Sequence, residues 1–182
     1  MSLVETEWLK ENINHLKIID CSWHMPLTKR NGFEEYKSQH IPNSIFFDLD
    51  NNSKKGTDLP HMLVEMDNWE KILSNMGINN DDEVVIYDNS DVISSCRCWF
   101  NLIYFGHDPN LVHVLNGGLK KWIKENNKVT NNISDIQSSN YKSFEKKELV
   151  KNKKSINQNI NEQKFKVIDA RSKERFEGKV QE

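Results

Sequence analysis

Three short, mostly apolar runs constrain this chain most. They are "LKIID" at 16–20, "EVVIYD" at 83–88 and "LVHVL" at 111–115. None shows the polar/apolar alternation of a strand with one wet face, so each reads as a strand buried on both faces. Helical patterns lie between them. "DNWEKILSNMG", 67–77, places Trp69, Ile72, Leu73 and Met76 at helical spacing and ends at Gly77. Asp67 with Glu70 reads as a capping box at its start. Further helices are expected over "FEEYKSQ" (33–39), about 95–105 (Trp99, Leu102 and Ile103 on one side) and "LKKWIKEN". A first short helix, capped by Ser2, is expected to carry Leu3, Val4, Trp8 and Leu9. "SIFFDLD", 44–50, reads as a further strand ending in two carboxylates. Strands alternating with helices predict a parallel sheet covered on both faces.

Residues 127–143, "NKVTNNISDIQSSNYKS", are polar and aperiodic and read as a linker. Beyond it, "FKVIDAR" at 165–171 repeats the pattern of "LKIIDCS" at 16–22, which points to an internal duplication. The expected organisation is a first domain over 1–126, a linker over 127–148, and the beginning of a second copy over 149–182.

The net charge of −2 gives no electrostatic case for nucleic acid or an anionic membrane. No run is long enough to span a bilayer, and the first thirty residues contain no apolar core of signal-peptide length. Three cysteines, Cys21, Cys96 and Cys98, form no disulfide framework, so a reducing, cytoplasmic compartment is expected. Lysines greatly outnumber arginines. Where Arg30, Arg97, Arg171 and Arg175 persist, the two-pronged guanidinium has a reason to be kept.

Cys96 and Cys98 sit where a loop becomes a helix, a place that gathers anions and acidifies thiols. Two residues apart on a helix face different directions, so the packing reading competes with the reactive one. No His stands at ligand spacing to them, and no metal is expected.

The segments "WLKEN", "IIDCSWHMP", "HIPNSIFFDLD", "LPHML", "VVIYDNSD", "FGHDPNLVHVLNGGLKKW" and "VIDARSKERFEG" fall in an order that resembles the two-domain rhodanese family, the thiosulfate and 3-mercaptopyruvate sulfurtransferases. The resemblance covers nearly the whole chain apart from the linker. It implies an α/β fold: a rhodanese-like domain with a central parallel sheet flanked by helices, then a linker and a truncated second rhodanese-like unit. It also implies a cysteine nucleophile in a C-x-x-G-x-T loop of the second domain, which becomes a persulfide and passes sulfur to a thiol or cyanide. The chain contains no such loop, and Asp88 stands about where the cysteine would be in the first, silent copy.

By the same resemblance, Asp50 and His61 form a supporting catalytic pair that faces the nucleophile across the interface with the chain's own C-terminal domain. Arg175 would bind the anionic sulfur donor, with a salt bridge to a neighbouring Glu as its alternative. Asp48 reads as a strand-end or interface carboxylate, Arg97 and Arg171 as structural partners of carboxylates, and His40 as a brace for its turn. Val64 follows "HML" where the family usually has proline, which leaves the loop carrying His61 less stiff. No cofactor is implied. The expected partners are a small anionic donor and a thiol or cyanide acceptor. A non-catalytic binding module, or a decayed fragment, remains the alternative reading.

Overall fold

The structure is a computed structural model that describes residues 2–180. Met1, Gln181 and Glu182, which begin and end the expected domain ranges, lie outside the described residues. The chain divides into two compact units, 1–147 and 148–182.

The first unit is built on a five-stranded, all-parallel sheet. Its strands are β1 (Leu3–Val4), β2 (Lys17–Asp20), β3 (Ser44–Phe46), β4 (Val84–Tyr87) and β5 (Val112–Leu115), in the order β1-β5-β4-β2-β3. Central β4 is buried along its whole length, as its unbroken apolar run requires. Helices α1 (Thr6–Asn12), α2 (Gly32–Ser38), α3 (Met66–Asn75), α4 (Ser95–Tyr104) and α5 (Gly118–Lys124) complete the unit.

Neighbouring residues of one strand feed opposite faces. Ile19 and Ile86 pack with Trp69 and Leu73 of α3 and Leu102 of α4. Ile18, Val85 and Tyr87 pack with Leu9 of α1 and with Leu119 and Trp122 of α5. Two apolar layers thus clamp one sheet, and burial of such side chains contributes roughly 1.5–3 kcal/mol each.

Several local expectations are corrected. Leu3 and Val4 are not helical. They form an edge strand in register with Val114 and Leu115, and α1 begins after Glu5 without a side-chain cap. Two residues carry no periodicity, so only a waiting partner strand makes them β. The capping box of α3 does not form either. Its N-cap is Glu65, and the Glu70 carboxylate instead accepts the backbone N–H of Ser143 at 2.8 Å. Asp50 lies in a turn beyond β3 and not on the strand itself.

The polar stretch expected to be a linker does not hang free. Thr130 bridges His40, Tyr141 is buried beside His107 with its hydroxyl 3.1 Å from Nδ1, and the Phe144 N–H reaches the Phe105 carbonyl. Extended backbone is satisfied there by helix ends and side chains of the first unit, which needs no repeat in the sequence. His40 accordingly braces this stretch, near the Asn132 carbonyl, as well as the Tyr36 carbonyl of α2.

In the second unit, α6 (Lys153–Glu162) is capped by Asn152 and α7 (Lys173–Phe176) by Ser172. The strand expected at 165–169 joins no ladder among the described residues, and Val167 and Ile168 are exposed. A strand exists only by pairing, whatever its propensity.

Candidate functional site

A parallel sheet presents its chemistry at the carboxyl ends of its strands. Here that edge carries the loops following β2, β3 and β4. Asp88, the first residue after β4, turns its carboxylate onto the start of α4. One oxygen accepts the Ser95 N–H at 2.7 Å and the other the Ser90 N–H at 3.0 Å. The anion position at this helix start is therefore filled by the chain's own buried carboxylate. Its main-chain carbonyl accepts the Leu119 N–H at 3.0 Å. A Cβ on Gly118, whose φ is +55°, would lie 2.4 Å from that oxygen, so glycine is required.

The cysteines beside this loop are not poised for attack. Cys96 is exposed and Cys98 buried, as their helical spacing demands. Partial burial, with a smaller contribution from Asp88, raises the Cys96 thiol pKa. Cys21 is buried and donates to the Ser94 carbonyl. Contact with Cys98, then burial, pushes its thiol well up. A neutral thiol is a poor nucleophile.

Asp20, the last residue of β2, is the other buried carboxylate at this edge. One of its oxygens accepts the Ser22 N–H at 2.9 Å. Burial, against the bonds from Ser22 and Tyr87, raises it to about 6.

Asp50 and His61 do come together. His61 Nε2 lies 2.8 Å from Asp50 Oδ1. The same oxygen accepts the Trp23 indole N–H at 3.0 Å. An ionised carboxylate only accepts, so Nε2 is the donor, and a neutral ring keeps Nδ1 free to take a proton. The Trp23 and His61 rings meet edge to face at 4.8 Å. Asp50 is 66% exposed and His61 22%, so the pair is open to a reactant. His61 adopts the left-handed backbone, φ 54°, and its carbonyl accepts a bond from Arg97 Nη2. Asp48, by contrast, is spent on its own turn, accepting the Asn51 N–H at 2.9 Å.

A cleft of about 260 Å³ opens beside the pair, between Trp23, Arg30, Phe33, Phe46 and Asp50. Its polar wall is held by Glu35. That carboxylate takes a two-pronged bond from Arg30 and meets His24 Nε2 at 3.1 Å and Asn89 Nδ2 at 3.0 Å. Arg30, through its bonds, and Asn89 together hold the Glu35 pKa down against the upward push of burial.

Two of these residues were not expected at the site. Trp23 was legible only as an aromatic next to a strand end. Arg97, expected to meet a carboxylate, meets a carbonyl. Arg171 does pair with a carboxylate, Asp169, at 2.7 Å, and holds it below the usual range, with a smaller charge effect from Arg175. Arg175 lies on α7 in the second unit. Among the described residues no group of three or more His, Cys, Asp and Glu is placed to hold a metal ion. Among the described residues no helix is long and apolar enough to cross a membrane.

The chain is also similar to known proteins. Residues 5–125 match the family model described as a rhodanese-like domain. The chain is 34% identical, over 99% of its length, to thiosulfate/3-mercaptopyruvate sulfurtransferase 1, mitochondrial, of Arabidopsis thaliana. It is 32% identical, over 97% of its length, to thiosulfate sulfurtransferase of Rattus norvegicus. It spans only 53% and 61% of those two relatives' lengths. Its structure matches 99% of this chain and 70% of SseA from Escherichia coli, solved as a rhodanese fold, with a TM-score of 0.89 at 28% identity. Tum1 from Saccharomyces cerevisiae gives a TM-score of 0.86 at 28% identity, over 100% of this chain and 64% of that one. A five-stranded parallel sheet, a family match over most of the first unit, and sulfurtransferases as relatives on both counts place this chain in the rhodanese-like domain family.

Proposed function

We propose that this chain provides the non-catalytic first domain, and the start of the catalytic domain, of a sulfurtransferase that moves a sulfane sulfur from thiosulfate or 3-mercaptopyruvate to a thiol or cyanide. The observation that carries the reading is the Asp50–His61 pair, exposed at the carboxyl edge while Asp88 fills the neighbouring anion position. The first domain then supplies a proton-handling group and no nucleophile.

In the reaction, a cysteine thiolate of the catalytic domain attacks the donor's sulfur. The sulfur's bond to the donor breaks and a persulfide forms. With thiosulfate, sulfite leaves. With 3-mercaptopyruvate, the carbon that loses sulfur departs as an enolate and must gain a proton to become pyruvate. His61 serves that transfer, held in one tautomer by Asp50. This need for a proton, with the "SWHMP" segment, favours 3-mercaptopyruvate. Arg175 suits the donor's carboxylate or thiosulfate oxygens. Free cysteines favour a reducing, cytoplasmic compartment.

The test compares residues 1–182 with the product of the source gene's full reading frame, following thiocyanate formed from cyanide with each donor. The shorter chain should be inactive. A full product that carries the catalytic cysteine loop should turn over and lose on the order of 10²-fold in kcat on His61→Ala. Turnover by 1–182 itself would refute the reading, as would a full product indifferent to His61.

A further inference from the structure

Arg97 is a cation in an uncomfortable place. It sits in the first turn of α4, half-buried, with its Nε buried and without a partner. Among the described residues it forms no ion pair, and burial alone lowers its pKa. Among the described residues its guanidinium donates to the main-chain carbonyl of His61, 36 residues away. A solvated lysine would be cheaper, and this chain uses lysine nearly everywhere else.

What the bond holds is equally particular. His61 lies in a turn with no helix or strand of its own. Its φ of 54° is one that a residue with a Cβ resists. Its ring is restrained by Asp50 and Trp23, which both sit in loops. Arg97 reaches it from a helix. The Phe100 ring, 5.9 Å from the guanidinium one helical turn on, helps to hold that side chain.

We infer that Arg97 is the positioning residue of the Asp50–His61 pair. It pins the His61 carbonyl to α4, so that the left-handed backbone is kept and Nε2 stays on Asp50. The catalytic consequence rests on the proton-transfer role proposed above, whereas the positioning itself does not. The site then depends on a donor that never touches the reactant.

The test starts with ¹⁵N NMR of the 182-residue chain. In the parent, the His61 ring should show one tautomer, protonated at Nε2, and a ring-to-ring Overhauser contact with Trp23. One Arg97 Nη should show scalar coupling to the His61 carbonyl carbon. Arg97→Met should keep the cooperative melt yet lose the single tautomer and the Trp23 contact. Arg97→Lys, which retains a donor, should recover them. A folded Arg97→Met chain with an unchanged His61 signature would overturn the inference. Should that variant fail to fold, absence of the Arg97–His61 coupling in the parent overturns it equally.

In the full reading-frame product, Arg97→Met should lower kcat about tenfold with KM within about twofold, and Lys should restore it. If Arg97→Met disturbs His61 while His61→Ala leaves turnover intact, the proposed catalytic role fails and the positioning stands.

Discussion

Replacing Asp88 by alanine removes two acceptors at once and tests the view that this carboxylate is a built-in anion. The Ser90 and Ser95 N–H groups lose bonds of 3.0 and 2.7 Å. Ser95 is buried, so its amide loses a partner away from bulk water. A hydrogen bond to a charged group contributes about 1.5–3 kcal/mol, and a negative charge at a helix start adds about 0.3–1 kcal/mol. Relief from burying the carboxylate offsets part of the sum, so a net loss of about 2–3 kcal/mol is expected. For a chain of this size, that is a fall in Tm of roughly 4–12 °C.

Urea and thermal melts of the 182-residue chain measure it. The sharper arm adds thiosulfate or sulfate. The vacated helix start should bind the anion, and a concentration of about 100 Kd restores about 2.7 kcal/mol. The parent chain in the same salt controls for the general stabilising action of such anions. A variant within about 0.5 kcal/mol of the parent, or one that gains no more from the anion than the parent does, would show that Asp88 does not fill an anion site.

Asp20 offers a pH test. It is raised to about 6, by burial first, with bonds from Ser22 and Tyr87 opposing. Because the folded chain holds this proton more tightly than the unfolded chain, the contribution is fully present below about pH 4 and is lost as pH rises through about 6. Asp20→Asn should therefore be more stable than the parent at pH 7, by up to about 3 kcal/mol, and the gap should close towards pH 4. Urea melts from pH 4 to 8 check this, and a gap that widens on acidification would reverse the sign. Thiol labelling of the native chain should find one fast cysteine, abolished by Cys96→Ser, and three after denaturation. Fast labelling of Cys21 or Cys98 in the native state would contradict their burial.

Much of the fold is written in local pattern. Mostly apolar runs at 16–20, 83–88 and 111–115 read as strands buried on both faces, and β2, β4 and β5 lie there. Cys96 and Cys98 diverge because helical geometry is local. The Asp50–His61 pair was legible only through a family resemblance, since eleven residues of turn and loop impose no distance between them.

Tertiary structure decided the rest. Leu3 and Val4 are a strand because Val114 and Leu115 offer them a ladder. Glu70 leaves its helix start because a distant amide, Ser143, competes for it. Segment 165–169 carries strand propensity and finds no ladder among the described residues. Arg97 and Trp23 enter the site through bonds to a carbonyl and to a carboxylate already engaged by His61. Apolar periodicity is a property of neighbours along the chain, so composition and spacing reveal it. A hydrogen bond between a side chain and remote backbone depends on where the fold brings that backbone, and every residue has the same carbonyl.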